Sequence, residues 1–299
     1  MEQNNTPIVT SNGITETING KADPTTIRIP SAARFSNAVK IKTPWMKELL
    51  HEDSSIRDTL KCGLAEFIGT SLLVFLGCMS CIGSLGTAPA LLQISLVFGL
   101  AVMVIIQSIG HISGAHINPA ITVGAVILGK KSLPAASVYF LAQCLGAIVG
   151  YGMLKIITPR LLLHTGDPSK MSSFCVTELH VNISVIEGLL AEIMATAILM
   201  FMTCACWDTR NERNTDSVAI KFGLTVAVLC MAVAPYTGCS MNPARSLGPA
   251  IWNNNWGHHW IYWFGPLGGS LIASILYRSI FSLSPEEFGR SQVSTKAEI

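Results

Sequence analysis

Two stretches decide the fold: SGAHINPAITVG, from Ser113 to Gly124, and TGCSMNPARSLG, from Thr237 to Gly248. Both centre on Asn-Pro-Ala, and both lie in a very apolar part of the chain. Asparagine is a good N-cap, and proline is favoured at the first position of a helix. Each triplet therefore predicts the start of a helix. One copy would need no further explanation, but two copies indicate a shared purpose.

The composition of the chain is that of a membrane protein. It has 299 residues, of which 50% are hydrophobic and only 13% are charged, against about 25% charged in ordinary soluble domains. The formal net charge of +2 is too small to indicate a nucleic-acid partner. The first 60 residues differ, because they are rich in Asn, Thr, Ser and Lys, and they predict a disordered tail.

A helix needs about 20 apolar residues to cross a bilayer. Six windows qualify, and two shorter apolar stretches are each long enough for about half a bilayer. The six windows are 62–83, 92–110, 134–157, 186–207, 218–235 and 259–281, and the two shorter stretches are 118–128 and 242–252.

The chain contains an internal repeat. AEFIGTSLLVFLGC begins at Ala65 and AEIMATAILMFMTC begins at Ala191, and each is followed by a span, an Asn-Pro-Ala segment and another span. Three spans are an odd number, so the second half enters the membrane upside down. The predicted organisation is an N-terminal tail, a first repeat, a connecting loop, an inverted second repeat and a C-terminal tail, over 1–60, 61–157, 158–185, 186–282 and 283–299.

The distribution of basic residues predicts the orientation. The connections at 84–91 and 253–258 contain no Lys or Arg, whereas basic residues flank the other ends of the spans. The positive-inside rule then places both termini in the cytoplasm and the loop 158–185 outside. Asn182 in that loop begins a possible glycosylation motif, Asn-Ile-Ser.

In inverted halves, the two short helices would meet with their N-termini near the midplane of the membrane. Their positive ends would repel cations there, and the side-chain amides of Asn118 and Asn242 would donate to water. Glu66 and Glu192 are carboxylates inside spans, where an unpaired charge is costly. We expect each to accept hydrogen bonds from the backbone of the loop in its own half, in preference to relaying protons.

These motifs resemble the aquaporin (major intrinsic protein) family over about residues 60–282. The resemblance implies an all-α integral membrane fold with six transmembrane helices and two re-entrant half-helices. It also implies a passive channel in the lipid bilayer, a homotetramer in the cell membrane, and no cofactor, metal or enzymatic activity. The pore residues are then the two triplets: Asn118, Pro119, Ala120, Asn242, Pro243 and Ala244.

The family narrows its outer pore with four side chains, which by position are Phe98, Cys230, Cys239 and Arg245. Water-selective members have histidine where this chain has Cys230, a smaller side chain and a weaker donor. The glycerol-facilitator branch has aspartate after the arginine, where this chain has Ser246. This combination resembles the insect entomoglyceroporins, which pass glycerol.

The leading hypothesis is a channel for water, glycerol and urea that excludes protons and ions. The alternative in the same class is a strictly water-selective aquaporin. A gradient-coupled transporter is less favoured, because such a protein would need ion-binding or titratable groups at the midplane. A junctional membrane protein would need no polar path at all.

Nine cysteines are present. Cys78 and Cys81 have the spacing of zinc ligands, but no second pair follows, and we interpret them as buried apolar side chains. Cys175 is expected to be a free thiol or an intermolecular partner, and the sequence does not decide between these. His111 and His116 are both expected in the first re-entrant loop.

Overall fold

The computed structural model describes residues 55–82, 89–164, 173–212 and 214–281. Within these ranges the protein is all-helical and has no strand. Its eight α-helices are α1 Ile56–Met79, α2 Leu91–Ser113, α3 Pro119–Ile127, α4 Leu133–Ile157, α5 Val185–Trp207, α6 Val218–Thr237, α7 Pro243–Asn253 and α8 Ile261–Leu276.

The predicted fold class is confirmed. Helices α1, α2, α4, α5 and α6 are each long and apolar enough to cross a membrane. The sixth predicted span is a 16-residue α-helix, α8, continued by a five-residue π-helical segment, Tyr277–Phe281. Helix α1 begins at Ile56, so the last residues of the predicted disordered tail are helical. Residues 1–54 of that tail and the predicted C-terminal tail lie outside the described residues.

The two short helices have the same local cause. Gly114 follows the end of α2 and Gly238 follows the end of α6, and both glycines have left-handed backbones, with φ of 88° and 74°. Glycine adopts this conformation without a steric penalty, which ends the helix and turns the chain. A few residues later, Asn118 and Asn242 are the N-caps of the next helices, α3 and α7.

Small residues let the long helices approach closely in equivalent places of the two halves. A Cβ on Gly146 of α4 would meet the carbonyl oxygen of Phe67 in α1. A Cβ on Gly269 of α8 would meet the carbonyl oxygen of Ile193 in α5. The same pairs of helices, α1 with α4 and α5 with α8, make the most extensive contacts of the fold, and α2 packs on α6.

Each half-helix is held by a span of the other half. Ser270 of α8 donates a hydrogen bond of 2.5 Å to the carbonyl oxygen of Ala120 in α3. Gly248 of α7 lies against the backbone of Ala147 in α4. The two halves are therefore interlocked at the level of the half-helices.

The outward faces of the long helices are apolar. Exposed leucines such as Leu64 and Leu141 point away from the bundle, while the carboxylates of Glu66 and Glu192 are fully buried within it. This is the reverse of a soluble protein, and it suits a bundle surrounded by lipid.

Candidate functional site: a lumen between two opposed half-helices

The tips of the two half-helices are joined by a reciprocal pair of hydrogen bonds. The Asn118 side-chain nitrogen donates to the carbonyl oxygen of Met241, and the Asn242 side-chain nitrogen donates to the carbonyl oxygen of Ile117, each over 2.8 Å. The asparagine oxygens accept from the first backbone N–H groups of their own helices. A primary amide has two N–H donors, so each nitrogen keeps a second one for a molecule beside it.

Glu66 organises the loop that leads into α3. One of its oxygens accepts from the Ser113 hydroxyl over 2.6 Å and from the His116 backbone N–H over 2.9 Å. The other accepts from the Ile117 N–H over 2.6 Å and from the Gln143 side chain over 2.8 Å. The buried carboxylate thus has four donors, the compensation that a buried charge requires.

Glu192 does the same for the loop that leads into α7. It accepts from the Thr237 hydroxyl over 2.6 Å and from the N–H groups of Ser240 and Met241 over 2.8 Å each. Ser113 and Thr237 occupy equivalent positions in the two loops. We did not predict their role, although the aligned hydroxyl residues of SGAHINPA and TGCSMNPA carried the signal.

The loops have backbone conformations that L-residues rarely adopt. Ala115 and Ile117 have φ of 47° and 44°, and Cys239 and Met241 have φ of 50° each. Such conformations cost of order 1–3 kcal/mol each, and they persist only where the surroundings hold them. The glutamate hydrogen bonds in each loop provide that restraint.

The two loops line a cavity that runs past the asparagines. The cavity has a volume of about 110 Å³, whereas one water needs only about 10–15 Å³ on the same measure. Its lining combines the loop residues 114–118 and 239–242 with apolar side chains of the spans. The apolar side chains include Leu73, Val102, Ile106, Leu199, Phe222 and Val226.

The structure brings the four predicted filter side chains to this cavity. The Arg245 guanidinium lies 4.9 Å from the centre of the Phe98 ring and donates over 2.8 Å to the carbonyl oxygen of Cys175. The Cys239 thiol lies beside Cys230 and contacts the carbonyl oxygen of Leu229 over 3.5 Å. All four side chains are at least nine-tenths buried.

Two other residues shape the cavity through packing and not through a motif. A Cβ on Gly77 would overlap the Phe98 ring, so this glycine makes room for the aromatic side of the filter. Trp207 lines the cavity and its ring packs 5.4 Å from that of His116. No sequence signal singled out either residue.

Cys78 is buried, as predicted, but it is not an unpaired apolar side chain, and both expectations for Cys175 are wrong. The two residues form a disulfide within the chain, with 5.5 Å between their Cα atoms. The segment around Cys175 packs against the end of α1, which brings together two residues that are 97 positions apart. Spacing along the sequence could not reveal this pairing.

The two histidines are also separated. His116 lies in the re-entrant loop, is buried, and has its Nδ1 atom 3.2 Å from the Thr122 hydroxyl. His111 lies in the last turn of α2 and is exposed, so its expected place in the loop was wrong. Within the described residues no group of His, Cys, Asp and Glu is placed to bind a metal ion.

A bundle of membrane-crossing helices with a lumen past two opposed half-helices defines a transmembrane channel. The family model of the major intrinsic proteins matches residues 53–277. Aquaporin-4 of Mus musculus is 43% identical over 221 residues, which is 73% of this chain and 66% of that protein. Aquaporin-2 of Bos taurus is 39% identical over 217 residues, which is 73% of this chain and 77% of that protein.

The fold has the same relatives. The X-ray structure of the aquaglyceroporin from Plasmodium falciparum superposes with a TM-score of 0.63, covering 74% of this chain and 96% of that one at 23% identity. The chain belongs to the major intrinsic protein family. It is a multi-pass membrane channel of the aquaporin type, and members of this family are channels and not enzymes.

Proposed function

We propose that the channel passes glycerol and urea as well as water, and that it excludes protons and ions. The observation that carries the proposal is Cys230. This small thiol lines the same cavity as the Arg245 guanidinium and the Phe98 ring, which lie 4.9 Å apart. A small side chain there leaves space for a carbon backbone, while the guanidinium offers donors to hydroxyl groups.

The exclusion of cations rests on three positive features of one lumen. Helices α3 and α7 point their N-terminal ends at the cavity, and each helix end carries about half a positive charge. Arg245 adds a full charge at the filter. A proton or metal cation would meet all three, whereas a neutral molecule would not.

Ser246 bears on the branch of the family. It stands where glycerol facilitators have aspartate, and its hydroxyl is 2.8 Å from that of Thr177 and 2.6 Å from that of Ser240. The scaffold behind the filter is therefore uncharged, as in water channels, while the filter itself has the small Cys230. This combination supports assignment to a branch like the entomoglyceroporins.

Two alternatives are less well supported. A strictly water-selective pore is favoured by the likeness to aquaporin-4 and aquaporin-2, but it leaves the loss of a bulky filter residue at Cys230 unexplained. A gradient-coupled transporter would need a free carboxylate at the midplane. Glu66 and Glu192 instead accept hydrogen bonds from the loops that they support.

The proposal has a cellular setting. We infer that the channel resides in the cell membrane as a homotetramer with both termini in the cytoplasm, that 158–185 is extracellular, and that the repeats are 61–157 and 186–282. The uneven distribution of basic residues supports the orientation, and the exposed apolar helix faces are available for lipid or for neighbouring subunits.

The decisive experiment compares Cys230→His with the wild type in proteoliposomes. We expect water permeability to stay within about twofold, and glycerol permeability to fall by roughly tenfold or more, the usual effect of a steric change in a selective pocket. Stopped-flow light scattering measures both.

Cys230→Ser is the matched control, because serine keeps the small size and should keep the glycerol flux. Equal glycerol permeability in the histidine variant and the wild type would remove Cys230 from the filter. A wild type that passes water but neither glycerol nor urea would establish the strictly water-selective alternative.

A further inference from the structure

Three sulfur atoms lie together at the outer end of the lumen. Cys78, in the last turn of α1, forms the disulfide with Cys175. Cys81 follows one turn later, and its sulfur is 3.8 Å from that of Cys175. The three cysteines therefore form one cluster that connects α1 to the outer segment 173–180.

Cys175 is also in direct contact with the filter. Its carbonyl oxygen accepts the 2.8 Å hydrogen bond from Nη1 of Arg245, and its sulfur is 3.6 Å from Nη2. Cys175 has φ of 57°, a left-handed conformation that costs energy in a residue with a side chain. Something must hold this residue in place for its carbonyl to meet the guanidinium.

The neighbours of Cys175 are hydrogen-bonded to other helices, including α4 and α7. The Phe174 carbonyl oxygen accepts from the Tyr151 hydroxyl over 2.8 Å, and the Thr177 hydroxyl donates to Ser246 over 2.8 Å. The disulfide is the covalent connection to α1, against which Phe174 and Cys175 also pack. It therefore restrains Cys175 directly, in addition to the hydrogen bonds of its neighbours.

We propose that Cys175 is a positioning residue for the filter, and that its disulfide to Cys78 makes the orientation of Arg245 depend on the redox state of this cluster. The disulfide holds the Cys175 carbonyl against the guanidinium, and the guanidinium then lies beside the Phe98 ring instead of turning into the lumen. This inference rests on the proposed role of Arg245 in the filter, but not on glycerol transport.

Cys81 gives the cluster a second pairing. If its thiolate attacked the Cys175 sulfur, a Cys81–Cys175 bond would form and Cys78 would leave as a thiolate, with no change in oxidation state. Burial raises the pKa of the Cys81 thiol, so little thiolate is present at neutral pH and the exchange is slow. When Cys78 is absent, however, Cys81 is the partner nearest to Cys175 that the structure offers.

The loss of the tether has a predictable direction. When the disulfide is broken, the Cys175 carbonyl moves away and one guanidinium N–H of Arg245 loses its acceptor. The Arg245 side chain then turns towards water in the lumen. This narrows the filter. We expect water permeability to fall about two- to tenfold, the factor that corresponds to the net free energy of one hydrogen bond. Any larger solute should be affected more strongly.

The experiment uses the full-length channel in proteoliposomes. A phosphine reductant takes an oxygen from water and converts the disulfide into two thiols, and oxidised glutathione then restores the bond by thiol exchange. We expect reduction to lower water permeability in the wild type and reoxidation to restore it. Cys175→Ser and the double variant Cys78→Ser/Cys81→Ser should have the reduced value from the start and respond to neither reagent.

Two single variants serve as controls. Cys81→Ser keeps the disulfide and should behave like the wild type. Cys78→Ser should yield a Cys81–Cys175 peptide in non-reducing mass spectrometry, where the wild type yields Cys78–Cys175. A reversible change in reconstituted protein would not come from a role in folding alone.

Unchanged water permeability after verified reduction would overturn the proposal, and so would a wild type in which Cys175 is found as a free thiol. Wild-type glycerol permeability is measured in parallel. Its absence would contradict the proposed solute range without affecting the result for water, so the two failures can be told apart.

Discussion

Arg245 places a fixed positive charge beside the lumen. Its side chain is only 6% exposed, and a buried guanidinium is stable only with partners. The Cys175 carbonyl oxygen and the face of the Phe98 ring provide them, because an aromatic face attracts a cation. The same contacts that stabilise the charge also keep it at the side of the lumen.

Two thiols lie beside this arginine, and they predict sensitivity to mercury. Cys230 and Cys239 both line the cavity as free cysteines. A mercuric ion bound to either sulfur would occupy the filter, so we expect mercuric chloride to block most of the water permeability and a small thiol to reverse the block. Stopped-flow measurements on proteoliposomes would show this.

The Cys230→Ser/Cys239→Ser double variant should resist the mercurial. Cys204→Ser is the matched control, because Cys204 is a buried free cysteine outside the lining of the cavity, and it should stay sensitive. A block of unchanged strength in the double variant would show that mercury acts elsewhere.

At the scale of the element, close approach of the helices depends on particular glycines. Gly269 and Gly268 are adjacent in α8 but have opposite surroundings. A Cβ on Gly269 would overlap backbone atoms of Ile193 and Ala197 in α5, whereas the nearest atom to a Cβ on Gly268 would be Cγ1 of Ile193 at 3.8 Å. A Cβ on Gly268 would therefore make an ordinary contact, whereas a Cβ on Gly269 would push α5 and α8 apart.

We therefore expect Gly269→Ala to destabilise the channel by about 1–3 kcal/mol, the usual cost of overpacking. Gly268→Ala is its control and should be neutral or stabilising by up to about 1 kcal/mol, because alanine is the better helix former. Thermal unfolding in detergent, followed by circular dichroism, measures both. Equal melting temperatures would mean that α5 and α8 can separate at little cost.

Patterns along the chain were enough to predict most of the elements. The apolar windows predicted the spans within a few residues, and the two Asn-Pro-Ala triplets predicted half-helices that begin at Pro119 and Pro243. These features depend on local hydrophobicity and capping, which sequence expresses directly. The place of His111 was missed because α2 continues to Ser113, beyond the apolar window.

Features that join distant residues were not predictable in the same way. The Cys78–Cys175 disulfide and the fit of Phe98 against Gly77 depend on how helices meet in space. The side-chain nitrogens of Asn118 and Asn242 were expected to donate to water. In the structure each also donates to the loop of the other half, a bond that only the interlocked repeat reveals.

At the scale of the whole molecule, the two ends of the lumen are chemically different, although an inverted repeat relates them. The filter and the disulfide lie at one end, and Trp207, with His116 beside it, lines the cavity towards the other end. Basic residues among the described ones are concentrated with the latter, including Lys130, Lys131 and Arg210. From the positive-inside rule we propose that the filter faces the extracellular side.

This orientation can be tested in intact cells with epitope tags. We expect a tag after Ile299 to bind antibody only when the membrane is permeabilised, because both termini are proposed to be cytoplasmic. A tag inserted within 165–172 should bind antibody on unpermeabilised cells, and a tag within 83–88 is its matched control on another outer connection. If the tag after Ile299 bound antibody on unpermeabilised cells, the orientation would be reversed. The filter would then face the reducing cytoplasm, where a Cys78–Cys175 disulfide would not persist.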